Sequence, residues 1–219
     1  MPHGCSLWPA YWSVGPNWPS AGELHACGRS SSDHQLTGEM DIVEGVHDGP
    51  TNIYVLHSSA SCQIKDSFSA NEVTSNLLHN VCSSSGKDNR GCGFSDPDER
   101  SYGLKFNSEG GGVFAHLWDS SGVKVWRFTR SGIPSDIESR QPNPATWGTP
   151  AALFPNSAEC DFASHFFDHS LVLDTTICGD FAGPTYAKAG CPGTCEEAVA
   201  NPANYKSELW FSNFALLTS

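Results

Sequence analysis

Three carboxylates, Glu39, Asp41 and Glu44, lie within six residues of the chain. The apolar residues between them predict a short strand. Because side chains alternate along a strand, Glu39 and Asp41 share one face, and Glu44 joins them only if a β-bulge adds one extra residue. In an open, partly wet cleft, such carboxylates can hold different pKa values and divide the roles of acid and nucleophile, which suits cleavage of a glycosidic bond. By itself, however, an acidic run is also typical of a solvated face.

The strands that must position these carboxylates are predicted from runs of β-branched and aromatic residues bounded by Gly, Asn and Ser. They cover 39–44, 51–58, 113–118, 123–129, 171–178 and 209–217. Residues 59–105 show little periodicity but contain three cysteines, which predicts a long loop held by disulfides. One helical turn is predicted at 196–200. Short strands with almost no helix indicate an all-β fold, an antiparallel sandwich of two sheets.

The composition favours a single secreted-type domain. A chain of 219 residues with nine cysteines, 21 glycines, 14 prolines and 16% charged residues is typical of a loop-rich, disulfide-bonded β protein. The net charge of −12 argues against nucleic acid or an anionic membrane as the main partner, and it leaves a neutral polysaccharide acceptable. No apolar run approaches the roughly 20 residues needed to span a bilayer.

The acidic strand is preceded by an aromatic segment, residues 4–12 followed by Asn17-Trp18-Pro19. With this segment, the Glu-x-Asp-x-x-Glu pattern resembles the signature of glycoside hydrolase family 16, in its fungal endo-β-1,3(4)-glucanase (laminarinase-like) branch. The resemblance covers almost the whole chain. It continues through Leu56-His57-Ser58, Asn89-Arg90-Gly91-Cys92-Gly93, Gly110-Gly111-Gly112, Lys124-Val125-Trp126, Trp147-Gly148-Thr149-Pro150, Cys178-Gly179-Asp180-Phe181-Ala182-Gly183 and Gly190-Cys191-Pro192-Gly193.

The resemblance implies a β-jelly roll of the concanavalin A-like kind, whose concave sheet binds an extended sugar chain. It implies retaining endo-hydrolysis of β-1,3 or mixed β-1,3/1,4 glucans, with Glu39 as nucleophile, Glu44 as general acid/base and Asp41 hydrogen-bonded to the nucleophile. We expect no cofactor and no metal, a β-glucan polysaccharide as partner, an extracellular location and a monomer. A structural role for Asp41, and a glucan-binding or transglycosylating protein on the same scaffold, are the alternatives.

The resemblance also implies a set of substrate-binding residues. Trp12 and Trp18 match cleft aromatics that stack on sugar faces, since pyranose rings present apolar C–H faces to an indole. His57 could tune the protonation of the acids or touch the sugar, although an isolated strand histidine can also be a packing residue. Phe181 stands where relatives carry Trp, and it offers a smaller platform. Other tryptophans, Trp118 and Trp126 among them, are expected in the core.

Two departures from the family pattern concern the chain itself. Met1 corresponds to the middle of a family domain and no signal peptide precedes it, so we expect a partial catalytic domain that is incomplete at the N-terminus and inactive. Residues 23–38 form a block outside the family pattern, either a retained intron or a surface loop. Cys27 is the only cysteine in this block. The other eight match family positions and could all pair, so the loop bounded by Cys191 and Cys195 is expected to carry disulfides and not a metal.

Overall fold

The computed structural model describes residues 1–19, 37–59, 61–84 and 88–206. In these ranges the chain forms two antiparallel sheets. The strands are β1 (Leu7–Val14), β2 (Gly38–Glu44), β3 (Ile53–Ser58), β4 (Asn76–His79), β5 (Cys92–Ser95), β6 (Gly112–Asp119), β7 (Gly122–Thr129), β8 (Ala152–Pro155) and β9 (Ser170–Ile177). The helices are short: α1 (Gly103–Ser108), α2 (Ser135–Glu138), α3 (Phe162–His165), α4 (Gly179–Thr185) and α5 (Cys195–Val199).

The larger sheet has six strands in the order β4-β5-β3-β2-β1-β9, and the smaller has three in the order β6-β7-β8. Every ladder in both sheets is antiparallel. The two-sheet antiparallel sandwich predicted from the sequence is therefore confirmed. The acid-bearing strand β2 lies near the middle of the larger sheet, where two ladders fix its register.

Five of the six predicted strands are confirmed as β2, β3, β6, β7 and β9, and the sixth, at 209–217, lies outside the described residues. The helical turn predicted at 196–200 is confirmed as α5. The long loop predicted for 59–105 is wrong, since this stretch contains β4, β5 and the start of α1. Strands β4 and β5 have only four residues each, which is too short for a periodic hydrophobic pattern.

The aromatic segment proves to be β1, a strand with a proline inside it. Pro9 pairs with Thr175 of β9, whereas the ladder to β2 begins one residue later, at Ala10. A proline nitrogen cannot donate to a ladder, so this register leaves the missing donor outside the β1–β2 pairing. Strand β8, also unpredicted, is another four-residue strand, and within the described ranges its one partner is β7.

The core lies between the two sheets and leaves the opposite face of β2 free for polar groups. Met40 and Ile42 of β2 are buried in this core with Tyr54 and Leu56 of β3. From the smaller sheet and its surroundings come Val123, Val125, Phe154, Phe162 and Phe166. Because Met40 and Ile42 face inward, the alternation directs Glu39 and Asp41 outward, away from the apolar layer.

Four disulfides close the fold. They are Cys5–Cys191, Cys62–Cys160, Cys82–Cys92 and Cys178–Cys195. All eight cysteines that match the resemblance are thus paired, as expected. Cys191 and Cys195 bond to different partners, so their loop is anchored at both ends. None of the helices in the described residues is long and apolar enough to cross a membrane.

Candidate active site

The predicted β-bulge is present in β2. On the β1 side, Tyr11 pairs with Val43 and Trp12 with Asp41, so Ile42 is the extra residue. On the β3 side, the register likewise shifts between Asp41 and Glu44. The extra residue re-aims the strand beyond it, and Glu44 returns to the face that carries Glu39 and Asp41.

Strand β2 begins at a glycine because there is no room for a side chain. A Cβ on Gly38 would lie 2.4 Å from the carbonyl oxygen of His57 and 2.5 Å from a ring carbon of Phe166. Gly38 also accepts a hydrogen bond from the Gly15 N–H at 3.0 Å, and Thr37 donates through its hydroxyl to Pro16. Residues 15–16 and 37–38, which flank residues 20–36, are therefore hydrogen-bonded to each other directly before Glu39.

Each glutamate receives one indole N–H. Trp18 Nε1 donates to Glu39 Oε2 at 3.0 Å, and Trp8 Nε1 donates to Glu44 Oε1 at 3.2 Å. Burial nevertheless raises the pKa of both groups to about 7, with the Glu39 charge contributing to the rise at Glu44. Two carboxyl groups with pKa values near neutrality can hold one proton between them, which is the condition that acid–nucleophile catalysis requires.

Asp41 lies between the glutamates and is 4% exposed. Its Oδ2 has no hydrogen-bond partner among the described residues. Burial, followed by the charges of Glu39 and Glu44, raises the pKa of Asp41 well above its usual value. The raised pKa favours the protonated form of Asp41, in which the carboxyl group can donate a hydrogen bond to a neighbouring carboxylate.

His57 lies directly across β3 from Glu39 and approaches Asp41. Its Nε2 is 3.6 Å from Asp41 Oδ2, while its Nδ1 hydrogen-bonds Ser84 Oγ at 2.8 Å. Burial lowers the pKa of His57 to about 4, so the ring is neutral at the pH of about 7 near which Glu39 and Glu44 titrate. Polar atoms of His57, Glu39 and Asp41 lie within 4.8 Å of one another, close enough to share a cation, although a proton-sharing acid pair accounts for the same spacing.

The predicted aromatic residues surround the carboxylates. Trp18 contacts Glu39 as described, and Trp12 pairs with Asp41 and donates its indole N–H to Asp174. Phe181, in α4, packs edge-on against Trp8 at 5.7 Å between ring centroids, so it reaches Glu44 only through Trp8.

Of the two tryptophans named above as expected core residues, one is buried and one is exposed. Trp126 is 4% exposed, as predicted, whereas Trp118 is 38% exposed and the prediction is wrong for it. Trp118 stands at the end of β6, which is an edge strand of the three-stranded sheet as far as the described residues go, and it packs edge-on against His169.

Sequence reasoning did not assign two residues of this site. Trp8 lies four residues before Trp12, and strand alternation in β1 puts both on one face, so a strand prediction for the aromatic segment would have found it. Asp174 lies in the predicted strand 171–178, but its place beside the acids depends on the register of β9 with β1. No local pattern encodes that register.

Known proteins resemble this chain in both sequence and fold. The protein-family model that describes the XgeA-like catalytic domain of glycoside hydrolase family 16 matches residues 1–29 and 26–215 of this chain. The chain belongs to glycoside hydrolase family 16. A probable glycosidase of Schizosaccharomyces pombe is 40% identical over 214 residues, covering 96% of this chain and 46% of the relative. The endo-1,3(4)-β-glucanase xgeA of Emericella nidulans is 35% identical over 218 residues, 95% of this chain and 31% of the relative.

Solved family 16 structures share the fold. Laminarinase 16A from Phanerochaete chrysosporium, solved with β-glucans in its donor and acceptor sites, superposes with a TM-score of 0.80 at 37% identity, covering 95% of this chain and 65% of that chain. An elongating family 16 β-1,3-glucosyltransferase gives a TM-score of 0.78 at 35% identity, with the same coverage. The jelly-roll fold implied by the family resemblance is thus confirmed, and the chain spans less than half the length of the two curated relatives described above.

Proposed function

We propose that this protein is an endo-acting hydrolase of β-1,3 or mixed β-1,3/1,4 glucans that works with retention of anomeric configuration, contrary to the inactivity expected from its sequence. The observation that carries the proposal is the arrangement on β2: Glu39 and Glu44 on one face of a bulged strand, both with a pKa raised to about 7, and buried Asp41 between them. Family membership and the glucanase names of its relatives support the substrate class.

In the first step, the Glu39 carboxylate attacks the anomeric carbon and forms a glycosyl ester. The bond from that carbon to the leaving oxygen breaks, and Glu44 gives its proton to the leaving oxygen. Asp41, whose protonated form can donate a hydrogen bond to Glu39, steadies the charge of Glu39 as the ester forms and breaks.

In the second step, Glu44 acts as a base. It takes a proton from water, the water oxygen attacks the anomeric carbon, and Glu39 leaves as a carboxylate. Two displacements at one carbon restore its configuration. Trp12 and Trp18 provide ring surfaces for the sugar beside the acids, and a neutral His57 adds a polar contact without placing a cation in the cleft.

The roles can be tested by release of reducing ends from laminarin and lichenin. We expect Glu39→Gln and Glu44→Gln each to lower kcat/KM by about 10³-fold or more, because each removes one of two obligatory roles. Azide separates them: with an activated β-glucoside, Glu39→Ala should yield the α-glycosyl azide and Glu44→Ala the β-glycosyl azide. The reverse pattern would exchange the two roles, and full activity in both glutamine variants would refute the proposal.

Transglycosylation is the second candidate, favoured by the similarity to the elongating glucosyltransferase. Hydrolysis and transfer share the glycosyl ester and differ in whether water or a sugar hydroxyl attacks it. Chromatography of the products of a single laminari-oligosaccharide distinguishes them. Hydrolysis gives only products shorter than the substrate, whereas transfer gives products longer than the substrate together with the shorter leaving fragment.

We further propose that residues 23–38 are not required for the reaction. Trp12 and Trp18, which precede this segment, lie beside the acids, and Thr37 and Gly38 return the chain to the place where it leaves at Gly15 and Pro16. A variant lacking residues 23–38 joins Gly22 to Glu39 and keeps a glycine before the nucleophile. We expect it to be at least as active as the full chain, and a loss of activity with retained fold would show that the segment is part of the site.

An extracellular, monomeric state completes the proposal. Four disulfides suit an oxidising compartment, which is where a polysaccharide substrate is found. Light scattering coupled to size-exclusion chromatography should give the mass of one chain. Thiol labelling in denaturant should find only Cys27 free, and labelling of further cysteines would argue against the oxidised state.

A further inference from the structure

Asp174 occupies a place in the cleft that the assigned roles leave unused. It pairs with Ala10 of β1, and Ala10 pairs on its other side with Glu44. Glu44, Ala10 and Asp174 therefore lie side by side across strands β2, β1 and β9, with the Ala10 methyl group between the two carboxylates. Neighbouring strands are about 4.8 Å apart, so a small central residue leaves the two carboxylates facing the same space.

A direct contact links Asp174 to Trp12. Trp12 pairs with Val172, which makes Trp12 and Asp174 diagonal neighbours on one face of the β1–β9 ladder. Diagonal neighbours lie within reach when one of them is aromatic. The Trp12 indole donates a hydrogen bond to the Asp174 carboxylate, and Trp12 pairs with Asp41 on its other side. The ring that is proposed to carry the sugar thus lies between two acids, and its hydrogen bond goes to Asp174.

The charge of Asp174 also acts on the catalytic strand. Asp174 faces Glu39, Asp41 and Glu44 from β2, and beyond them His57 from β3, which is neutral. The negative charge of Asp174 contributes to the raised pKa of both Glu39 and Asp41. Its own pKa is raised by burial and lowered by the Trp12 hydrogen bond, so the indole helps to keep it ionised.

We propose that Asp174 is a positioning residue of the glucanase site, which fixes the Trp12 ring beside the sugar and adds a negative charge next to the carboxyl groups of β2. The proposal rests on the proposed function for its kinetic consequences. It predicts two separable effects, because the hydrogen bond needs only an acceptor at position 174, whereas the electrostatic effect needs the charge.

Two substitutions separate these effects. Asp174→Asn keeps the acceptor and removes the charge, so KM should stay within about two-fold while the acid limb of the kcat/KM profile moves to lower pH by up to about one unit, since Glu39 then ionises more easily. Asp174→Ala removes both, and we expect the same movement of the limb together with a KM raised about ten-fold. Asp66→Asn, which removes a charge from an exposed loop, is the matched control and should change neither.

An unmoved acid limb in Asp174→Asn would refute the electrostatic role, and an unchanged KM in Asp174→Ala would refute the positioning role. Two measurements without turnover keep the test independent of hydrolysis. Carbon-13 NMR of the carboxyl groups should show lower titration midpoints for Glu39 and Asp41 in Asp174→Asn, and tryptophan fluorescence should show weaker binding of laminarihexaose by Asp174→Ala. If the wild-type chain hydrolyses no glucan, the proposed function fails, yet these two measurements still decide the role of Asp174.

Discussion

At the scale of the residue, the site depends on two carboxyl groups that resemble each other closely. Glu44 is buried and Glu39 is partly buried, both accept one indole N–H and both have a pKa of about 7. Chemical identity and pKa therefore do not distinguish nucleophile from acid. Their positions differ, and the proposed roles follow this difference: Glu39 lies level with Asp41 and His57 before the bulge, whereas Glu44 lies beyond it beside Trp8.

The two indole donors give a residue-scale prediction that separates the roles. Trp8→Phe removes the hydrogen bond that lowers the pKa of Glu44, so the basic limb of kcat/KM should move to higher pH. Trp18→Phe removes the bond that lowers the pKa of Glu39, so the acid limb should move to higher pH. Each shift should be about one unit or less, as befits one hydrogen bond. Movement of the same limb in both variants would contradict the assignment of roles.

The same carboxyl groups predict how stability depends on pH. Their pKa values are higher in the folded state, about 7 for Glu39 and Glu44, than the ordinary 4.5. The folded state then binds more protons than the unfolded state between about pH 4.5 and 7, so the free energy of unfolding falls as pH rises through that window. Urea unfolding at several pH values should show this fall, and a flatter curve for Glu39→Gln. An equally steep fall in that variant would assign the pH dependence to other groups.

At the scale of the element, the packing and pairing of its neighbours determine where β2 begins and which way its side chains point. Gly38 begins it where only a hydrogen fits, and the extra residue Ile42 sits in the core while turning Glu44 back to the cleft. An edge strand could slip by one residue at little cost. A strand paired on both sides and buried on one cannot, because a slip would exchange its apolar and acidic faces.

Gly38→Ala should be strongly destabilising. The added methyl group would meet the His57 carbonyl and the Phe166 ring at about 2.5 Å or less, and the carbonyl cannot move without breaking the β2–β3 ladder. We expect a loss of about 3 kcal/mol in the free energy of unfolding and reduced activity. Gly183→Ala is the control, since Gly183 lies in α4 with no atom near its added Cβ and should be neutral or slightly stabilising. Equal unfolding midpoints in urea for the two variants would refute this account of β2.

Insertion of one alanine between Ile42 and Val43 should abolish activity while leaving a folded sheet. A second extra residue shifts the alternation beyond the bulge by one position, so Glu44 points into the core in place of a hydrophobic side chain. Ile42→Val leaves the number of residues unchanged and should cost only about 1 kcal/mol with activity retained. Far-ultraviolet circular dichroism and laminarin hydrolysis measure the two properties separately. Retained activity in the insertion variant would show that the bulge does not position Glu44.

At the scale of the whole molecule, the disulfides connect distant parts of the sandwich. Cys5–Cys191 spans 186 residues and joins the start of β1 to the segment after α4, which carries Phe181 against Trp8. Cys62–Cys160 spans 98 residues, whereas Cys82–Cys92 spans only 10. These cross-links differ most in how strongly they restrict the unfolded chain.

Replacement of the cysteine pairs by alanine should therefore follow loop length. In the chain-entropy treatment, loss of Cys62–Cys160 costs about 5 kcal/mol and loss of Cys82–Cys92 about 3 kcal/mol. Both pairs are buried in the core, so the packing lost with the sulfur atoms is similar and the comparison is matched. Urea unfolding of the two double variants measures the difference. A larger loss for the short loop would mean that native packing, and not chain entropy, dominates the effect of these disulfides.

How far the site could be predicted depended on whether its signal was local. The spacing of Glu39, Asp41 and Glu44 required a bulge if all three were to share a face, and the bulge is there. Trp118 had the same composition-based case for the core as Trp126, yet it lies at the end of an edge strand and is exposed. Short strands such as β4 and β5 carry too few residues to show a period, so they become strands only through their partners.

The sequence by itself determined the sandwich class, the family, the acid-bearing strand and the cysteines available for pairing, because alternation, motif spacing and composition are properties of neighbouring residues. Only the tertiary structure decided the disulfide pairing, the raised pKa values, the contact of Trp8 with Glu44 and the place of Asp174. These features depend on strand register and on the water that packing excludes. Both arise between residues far apart in the chain, where no local pattern records them.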